Sequence, residues 1–147
     1  MDNEVLVFQS RHLMEKVARR LHLDMSYKVK NGLREDELYT HSPITVLFPE
    51  SEERQVIEMT VTPVDSATVR LSDFSLSIAG EEIRSAEVVD ARLNDTISTP
   101  VGTMVVTPTL YYTDTYYGKP VFVTKANMEK VVEGYQSKMK ISLASKT

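Results

Sequence analysis

The 147-residue sequence contains no cysteine. A disulfide framework and a thiolate metal site are therefore excluded, and redox chemistry gives no indication of the cellular compartment. At this length the chain fits a single domain that can bury about two thirds of its unfolded surface. It needs no covalent staple to fold.

The chain also lacks a strong excess of either charge, and it lacks a long apolar run. Its net charge is −4 with both signs interspersed, which argues against a nucleic-acid partner. No window approaches the roughly 18 apolar residues of a membrane helix, and the first residues lack a signal-peptide layout. A helical pattern starts at residue 3 and a strand pattern, Lys140 to Thr147, runs into the last residue, which predicts a fragment of a longer protein.

Glycine is scarce, and this limits the possible chemistry. The five glycines lie at positions 32, 80, 102, 118 and 134, too far apart for a phosphate-binding loop. No G-x-S-x-G element is present, and paired acidic residues of the kind seen here are typical of solvated loops. His12 and His22 lie about 15 Å apart along one predicted helix and cannot share a metal, while His41 lies in a predicted turn. The sequence therefore predicts no catalytic, cofactor-binding or metal-binding residue.

Two amphipathic helices are predicted at the ends of the chain. The first spans Asn3 to Leu23, and its Leu6, Leu13, Val17 and Leu21 fall on one narrow arc that we expect to be buried. Phe8 projects to the opposite side. The second helix is predicted from an apolar stripe at helical spacing, which consists of Met128, Val131, Val132, Tyr135 and Met139. A final strand is predicted to follow it, beginning with Ile141 and Leu143.

Strand patterns fill the middle of the chain. Ile44 to Phe48 is apolar almost throughout, which predicts a strand covered on both faces, with the first helix on one of them. Strict alternation from Gln55 to Phe74 predicts two half-buried antiparallel strands. Gly102 to Thr107 and Pro120 to Lys125 predict two more strands, joined as a hairpin. The expected fold class is α+β: a mixed, mostly antiparallel sheet packed by an N-terminal and a C-terminal helix.

The tip of that hairpin is rich in tyrosine. Four tyrosines fall within seven residues, namely Tyr111, Tyr112, Tyr116 and Tyr117. Tyrosine gives a large rigid contact area with a polar tip, which suits saccharide or protein contacts. The alternative interpretation is that some of these rings pack on the sheet while the others line its edge. Both interpretations are open at this point.

The order of several segments resembles one known family. The segments are NEVLVFQSRHLMEKVARRLHL, SYKVK, ELYTHSPITV and VGTMVVTPT. They resemble the extracytoplasmic region of the chain-length-determinant family of polysaccharide co-polymerases, which includes bacterial tyrosine autokinases of capsule and exopolysaccharide biosynthesis. Glu4-Val5, Ser10, Val17, Leu21 and Leu23 match its helix signature, although Val7 or Phe8 stands where the family tends to carry leucine.

This resemblance implies a role and a location. Residues 1–147 would form one domain, a fragment of the periplasmic region of an inner-membrane protein whose flanking transmembrane helices and cytoplasmic kinase domain lie outside this sequence. The implied function is non-catalytic control of polysaccharide chain length and export, with homo-oligomers and the polymerase and export machinery as partners. Phe8 is then a candidate subunit contact. The competing hypothesis is a saccharide-binding or hydrolytic domain that uses the Tyr111 to Tyr117 segment.

Overall fold

The computed structural model describes the backbone of residues 2–145 and the side chains of residues 11–139. Along the chain, ten strands lie between two long helices. The helices are α1 (Asp2–Arg20) and α2 (Met128–Ser145). The strands are β1 (Met25–Asn31), β2 (Arg34–Glu37), β3 (Ile44–Leu47), β4 (Val56–Pro63), β5 (Thr68–Ile78), β6 (Glu81–Ser85), β7 (Val89–Arg92), β8 (Thr96–Thr99), β9 (Gly102–Pro108) and β10 (Val121–Lys125).

The strands form two antiparallel sheets. The larger sheet has the order β2-β1-β10-β4-β5-β6, and β7 also pairs with β5. The smaller sheet has the order β3-β9-β8. The pairing of β1 with β10 places Met25 opposite Lys125, so the end of α1 and the start of α2 lie close together.

The strict alternation seen in the sequence forms the centre of the larger sheet. Ile57, Met59 and Val61 of β4 are buried, as are Val69 and Leu71 of β5, so the prediction of two half-buried antiparallel strands is confirmed. The pairing register shifts by one residue between Glu58 and Thr60. Asp73, on the opposite strand, has a φ of 55°. This bulge moves the next buried position of β5 to Phe74.

One hydrophobic core joins the two sheets. Ile44 and Val46 of β3, with Met104 and Val106 of β9, pack into the same cluster as the buried residues of β4 and β5. Tyr27 of β1 extends into this core, and its hydroxyl oxygen accepts a hydrogen bond of 2.9 Å from the backbone N–H of Val46. The two sheets are thus connected by a polar contact as well as by apolar packing.

The predicted fold class is wrong. The chain is dominated by antiparallel sheets, and in its described part the two helices pack against each other instead of on a sheet. Each sheet covers the apolar face of the other, so no apolar sheet face is left for a helix to cover. The expectation that α1 covers β3 fails for the same reason: Ile44 and Val46 are buried, whereas Leu47 is exposed.

The predicted buried arc of α1 is also wrong. Leu13 and Leu21 are each about 60% exposed and Val17 is 38% exposed, whereas Ala18 is fully buried. Ala18 packs against Met128 and Val132 in a small cluster separate from the main core. Because α1 contacts one helix and not a sheet, its contact surface is a narrow strip centred on a small residue. Leu6 lies outside the described side chains.

The end of the chain differs from the expected strand. α2 continues to Ser145 through Ile141 and Leu143, and residues 146–147 lie outside the described range. Of the predicted stripe, Met128 and Val132 are buried and Val131 is partly buried. Tyr135 and Met139 are exposed, whereas the described contact of Ala18 is with the first turns of α2.

Candidate functional site

The predicted tyrosine hairpin does not form. β9 belongs to the smaller sheet and β10 to the larger one, so the segment between them is a crossover between sheets. It contains a short 3-10 helix at Asp114–Tyr116. The hairpin was expected because two neighbouring β-branched runs usually pair, but here the two strands meet different partners.

The four tyrosines of this crossover do not share one surface role. Tyr112 packs against the main core and donates a hydrogen bond of 2.7 Å to the backbone oxygen of Asp65. Burial, with the nearby Tyr117 and Asp65, raises the pKa of Tyr112 to about 12. The Tyr117 ring lies 6.2 Å from that of Tyr112, and the Tyr111 ring lies 4.9 Å from that of His41. Tyr112 is therefore a structural anchor.

The other three tyrosines of the crossover are compatible with the predicted role in partner or saccharide contacts. Tyr111 and Tyr117 are exposed, and Tyr116 is partly buried. Their role in binding a partner or a saccharide stays a prediction. Phe8 lies on α1 among the residues whose side chains the structure does not describe.

Residues 49–55, which we name the junction loop, connect the sheets to both helices. Arg19 of α1 donates two hydrogen bonds to the Glu53 carboxylate, at 2.7 and 3.2 Å. The backbone N–H of Met128 donates to the Glu53 carbonyl at 2.9 Å, and Arg54 contacts Glu129 of α2 at 3.1 Å. Both helices are thereby held by the same short loop.

A buried lysine holds the junction loop from the sheet side. Lys125, at the end of β10, donates its ammonium to the carbonyl oxygens of Glu52 at 3.0 Å and Gln55 at 2.8 Å. Burial lowers the pKa of Lys125, although the carboxylates of Asp24 and Glu53 act in the opposite direction. Burial raises the pKa of Asp24, and the charge of Lys125 opposes that shift. These groups couple the last strand, through the junction loop, to the end of α1 and the start of α2.

A cleft of about 520 Å³ opens beside this junction. We refer to it below as the junction cleft. Residues from the turn after α1, from β1, β2, β3 and β10, from the 3-10 helix at Tyr39–His41 and from α2 line it. The lining residues used below are Leu21, Ser26, Glu37, Tyr39, Leu47 and Tyr135. Its volume lies within the range of small-ligand sites, about 300–1,000 Å³.

Glu37 organises the polar side of the junction cleft. Its carboxylate accepts hydrogen bonds from the Ser26 hydroxyl, from the backbone N–H of Tyr27 at 3.0 Å and from that of Tyr39 at 3.4 Å. A carboxylate with these three donors is fixed as an acceptor. The site can orient a hydroxyl-bearing ligand.

The junction cleft could not be recognised in the sequence. Its residues lie within five separate stretches of the chain, and no local pattern indicates that the pairing of β1 with β10 brings those stretches together. Tyr39 lies in the segment ELYTHSPITV, which carries part of the resemblance. Its positive φ of 50° has no signature in the neighbouring sequence.

The described residues contain no group of three or more histidines, aspartates and glutamates placed to hold a metal ion. None of the described helices is both long and apolar enough to cross a membrane. His12 lies on α1, His22 in the turn after α1 and His41 in the 3-10 helix at Tyr39–His41, so the prediction that His12 and His22 share one helix is wrong.

Comparison with known proteins was made at the level of families and of individual sequences. No protein-family model matches the chain, and no curated protein matches it significantly. The resemblance to polysaccharide co-polymerases therefore rests on the quoted segments alone, and the function drawn from it is a proposal.

Proposed function

We propose that this chain is a non-catalytic, extracytoplasmic assembly and sensor domain of a polysaccharide co-polymerase. In the parent protein it helps to control the chain length and export of capsular or exopolysaccharide, coupled to a cytoplasmic tyrosine kinase. It acts at the periplasmic face of the inner membrane, as part of a homo-oligomer that works with the polymerase and export machinery. Flanking helices outside this sequence supply the membrane attachment.

The observation that carries this proposal is the pair of helices anchored side by side on one junction loop. α1 ends at Arg20 and α2 starts at Met128, and the β1–β10 pairing holds these two points together. At 1.5 Å per residue each helix is about 27 Å long. A β domain carried on two adjacent helices is suited to a position at the end of a helical stalk, where a signal passes between the sheets and the membrane.

The geometry of the junction supports a sensor role in particular. A rigid contact between the helices and the sheets requires bonds that cross the junction, and Glu53 makes such bonds to both helices. A change in the orientation of the sheets would therefore move both helices together.

The experiment is a charge swap in the full-length parent protein. Arg19→Glu breaks the ion pair with Glu53, and adding Glu53→Arg restores an ion pair of reversed polarity. We expect the single variant to alter the polymer length distribution on a gel and the double variant to restore it. Arg34→Glu is a matched control, since Arg34 forms a similar exposed ion pair on β2 away from the helices.

Removal of the whole β domain tests the broader claim. Residues 24–126 are replaced by a short turn that joins α1 to α2, and the polymer length and kinase autophosphorylation are measured. An unchanged polymer length, with the protein present at normal level in the membrane, would contradict the proposed function.

The competing hypothesis, saccharide binding or hydrolysis at residues 111–117, has less support. Tyr112 has its hydroxyl engaged by Asp65 and its ring in the core. Titration with oligosaccharides before and after Tyr116→Ala tests this hypothesis directly, because binding there requires the outer rings.

A further inference from the structure

We propose that the junction cleft binds a short segment of a neutral or amino-sugar oligosaccharide, with Tyr39 and Tyr135 as ring contacts and Glu37 as the hydroxyl acceptor. The ligand class follows from the chemistry of the cleft. The inference rests on the proposed function only for the biological source of that glycan.

The first observation is the presentation of two aromatic rings. Tyr39 is 78% exposed and Tyr135 is 39% exposed, and both line the same cleft from different elements. Exposed tyrosines in a concave site offer a flat apolar face and a hydroxyl at the ring edge. A pyranose ring has the matching combination of an apolar face and equatorial hydroxyls.

The second observation is backbone strain at the cleft. Five non-glycine residues in the described chain have a positive φ, and two of them, His22 and Tyr39, line this cleft, each with a φ of 50°. A bulky residue rarely adopts this conformation, and such residues concentrate at ligand sites. The hydrogen bond of 3.4 Å that the backbone N–H of Tyr39 donates to Glu37 stabilises this backbone conformation. The result is an aromatic ring kept at the cleft and out of the core.

The third observation is the arrangement of acceptors. The Glu37 carboxylate already accepts three hydrogen bonds from the protein, and a carboxylate can accept about four. The remaining position suits a ligand hydroxyl or ammonium group. Ser26, Thr45 and Thr124 add hydroxyl groups to the same lining.

The charges select among saccharides. Two carboxylates, Asp24 and Glu37, line the junction cleft together with the imidazole of His22, and its described lining contains no lysine or arginine. The nearby Lys125 is committed to two backbone carbonyls of the junction loop. A uronic acid or a phosphorylated sugar would therefore meet repulsion, whereas a neutral or amino sugar would not.

The experiment is an amide NMR titration of this chain with four trisaccharides. Maltotriose and N-acetylchitotriose are neutral, chitosan trimer carries amines, and trigalacturonate carries carboxylates. We expect shifts confined to the cleft residues with at least one neutral or amine-bearing probe, and binding at least about tenfold weaker for trigalacturonate. Shifts centred on residues 111–117, preferred binding of trigalacturonate, or no shifts with any probe would overturn the proposal.

Two variants separate binding from folding. Tyr39→Gly removes the ring and also relieves the positive φ, so its thermal midpoint should not fall, while its affinity should fall at least about tenfold. Tyr117→Ala is the control, because Tyr117 is an exposed tyrosine of the crossover outside the cleft lining, and its affinity should stay within about twofold. An equal affinity for Tyr39→Gly and the unmodified chain would refute the assignment.

The two proposals fail in different ways. Oligosaccharide binding in the junction cleft together with normal polymer length after removal of the β domain would leave the cleft assignment and remove the proposed function. Altered polymer length after that removal, with no oligosaccharide binding by the isolated chain, would leave the proposed function and remove the cleft assignment.

Discussion

The hydrogen bond between Tyr27 and Val46 gives a quantitative test of how the two sheets are joined. In Tyr27→Phe the ring stays in the core, but the N–H of Val46 loses its acceptor. An unsatisfied buried donor costs about 1–3 kcal/mol. We therefore expect the free energy of unfolding to fall by that amount, measured as a lower urea midpoint with an unchanged slope.

The same residue predicts an alkaline limit of stability. Burial raises the pKa of Tyr27 from its ordinary value of 10 to about 12, and the hydrogen bond from Val46 opposes that shift. The unfolded chain then loses this proton first, so stability is complete below pH 10 and declines as the pH rises toward 12. At 1.36 kcal/mol per pKa unit the loss approaches about 3 kcal/mol, and Tyr27→Phe should lack it.

The control for the urea measurement is Tyr112→Phe. The Tyr112 hydroxyl bonds to an exposed backbone carbonyl that water can satisfy, so the urea midpoint should change little. The reasoning is refuted if Tyr27→Phe is within about 0.5 kcal/mol of the unmodified chain and the exchange rate of the Val46 amide is unchanged.

Three further variants test the junction. Lys125→Met leaves two loop carbonyls without their donor. Although the substitution also removes a buried charge, we expect the free energy of unfolding in urea to fall by about 1–3 kcal/mol. A gain in stability would contradict this expectation. Asn127→Ala removes the side-chain cap that accepts the N–H of Glu129 at 2.9 Å, so α2 should lose about 1 kcal/mol and exchange its first amides faster, whereas Asn127→Asp should not. The hydrogen bond from Arg19 lowers the pKa of Glu53, so the ion pair adds stability above the ordinary pKa of 4.5 that disappears as the pH falls through the lowered value. Glu53→Gln should therefore unfold less steeply in acid, and superimposable acid curves would count against the pair.

The sheet interior was predictable from sequence because its signal is local. Ile57, Met59 and Val61 alternate with polar residues, and this pattern alone determines which face is buried. The bulge at Asp73 was not predictable in the same way, since it appears only as a one-residue shift before Phe74. Local periodicity identifies strands but does not say which strands pair.

The helices show the limit of the same reasoning. A helical arc of leucines predicts a buried face only if some apolar surface is available to cover it. Here the sheets cover each other, and Ala18 became the contact because α2 approaches closely at that point. Ile141 and Leu143 alternate as in a strand, but the helix already started at Met128 continues through them. The junction cleft escaped prediction because its residues converge only after the chain has closed.

The pairing of β1 with β10 has a consequence for how the chain folds during synthesis. β1 is made early, but β10, which separates it from β4 in the larger sheet, is the last strand to be made. Closing so long a loop is slow, since its entropy must be lost before the new contacts form. During that interval α1 has no partner, because α2 is made later still. A nascent chain would therefore expose Met14 and Ala18, the positions of α1 that pack in the small cluster with α2, until α2 has been made, which makes this stretch the expected site of chaperone engagement.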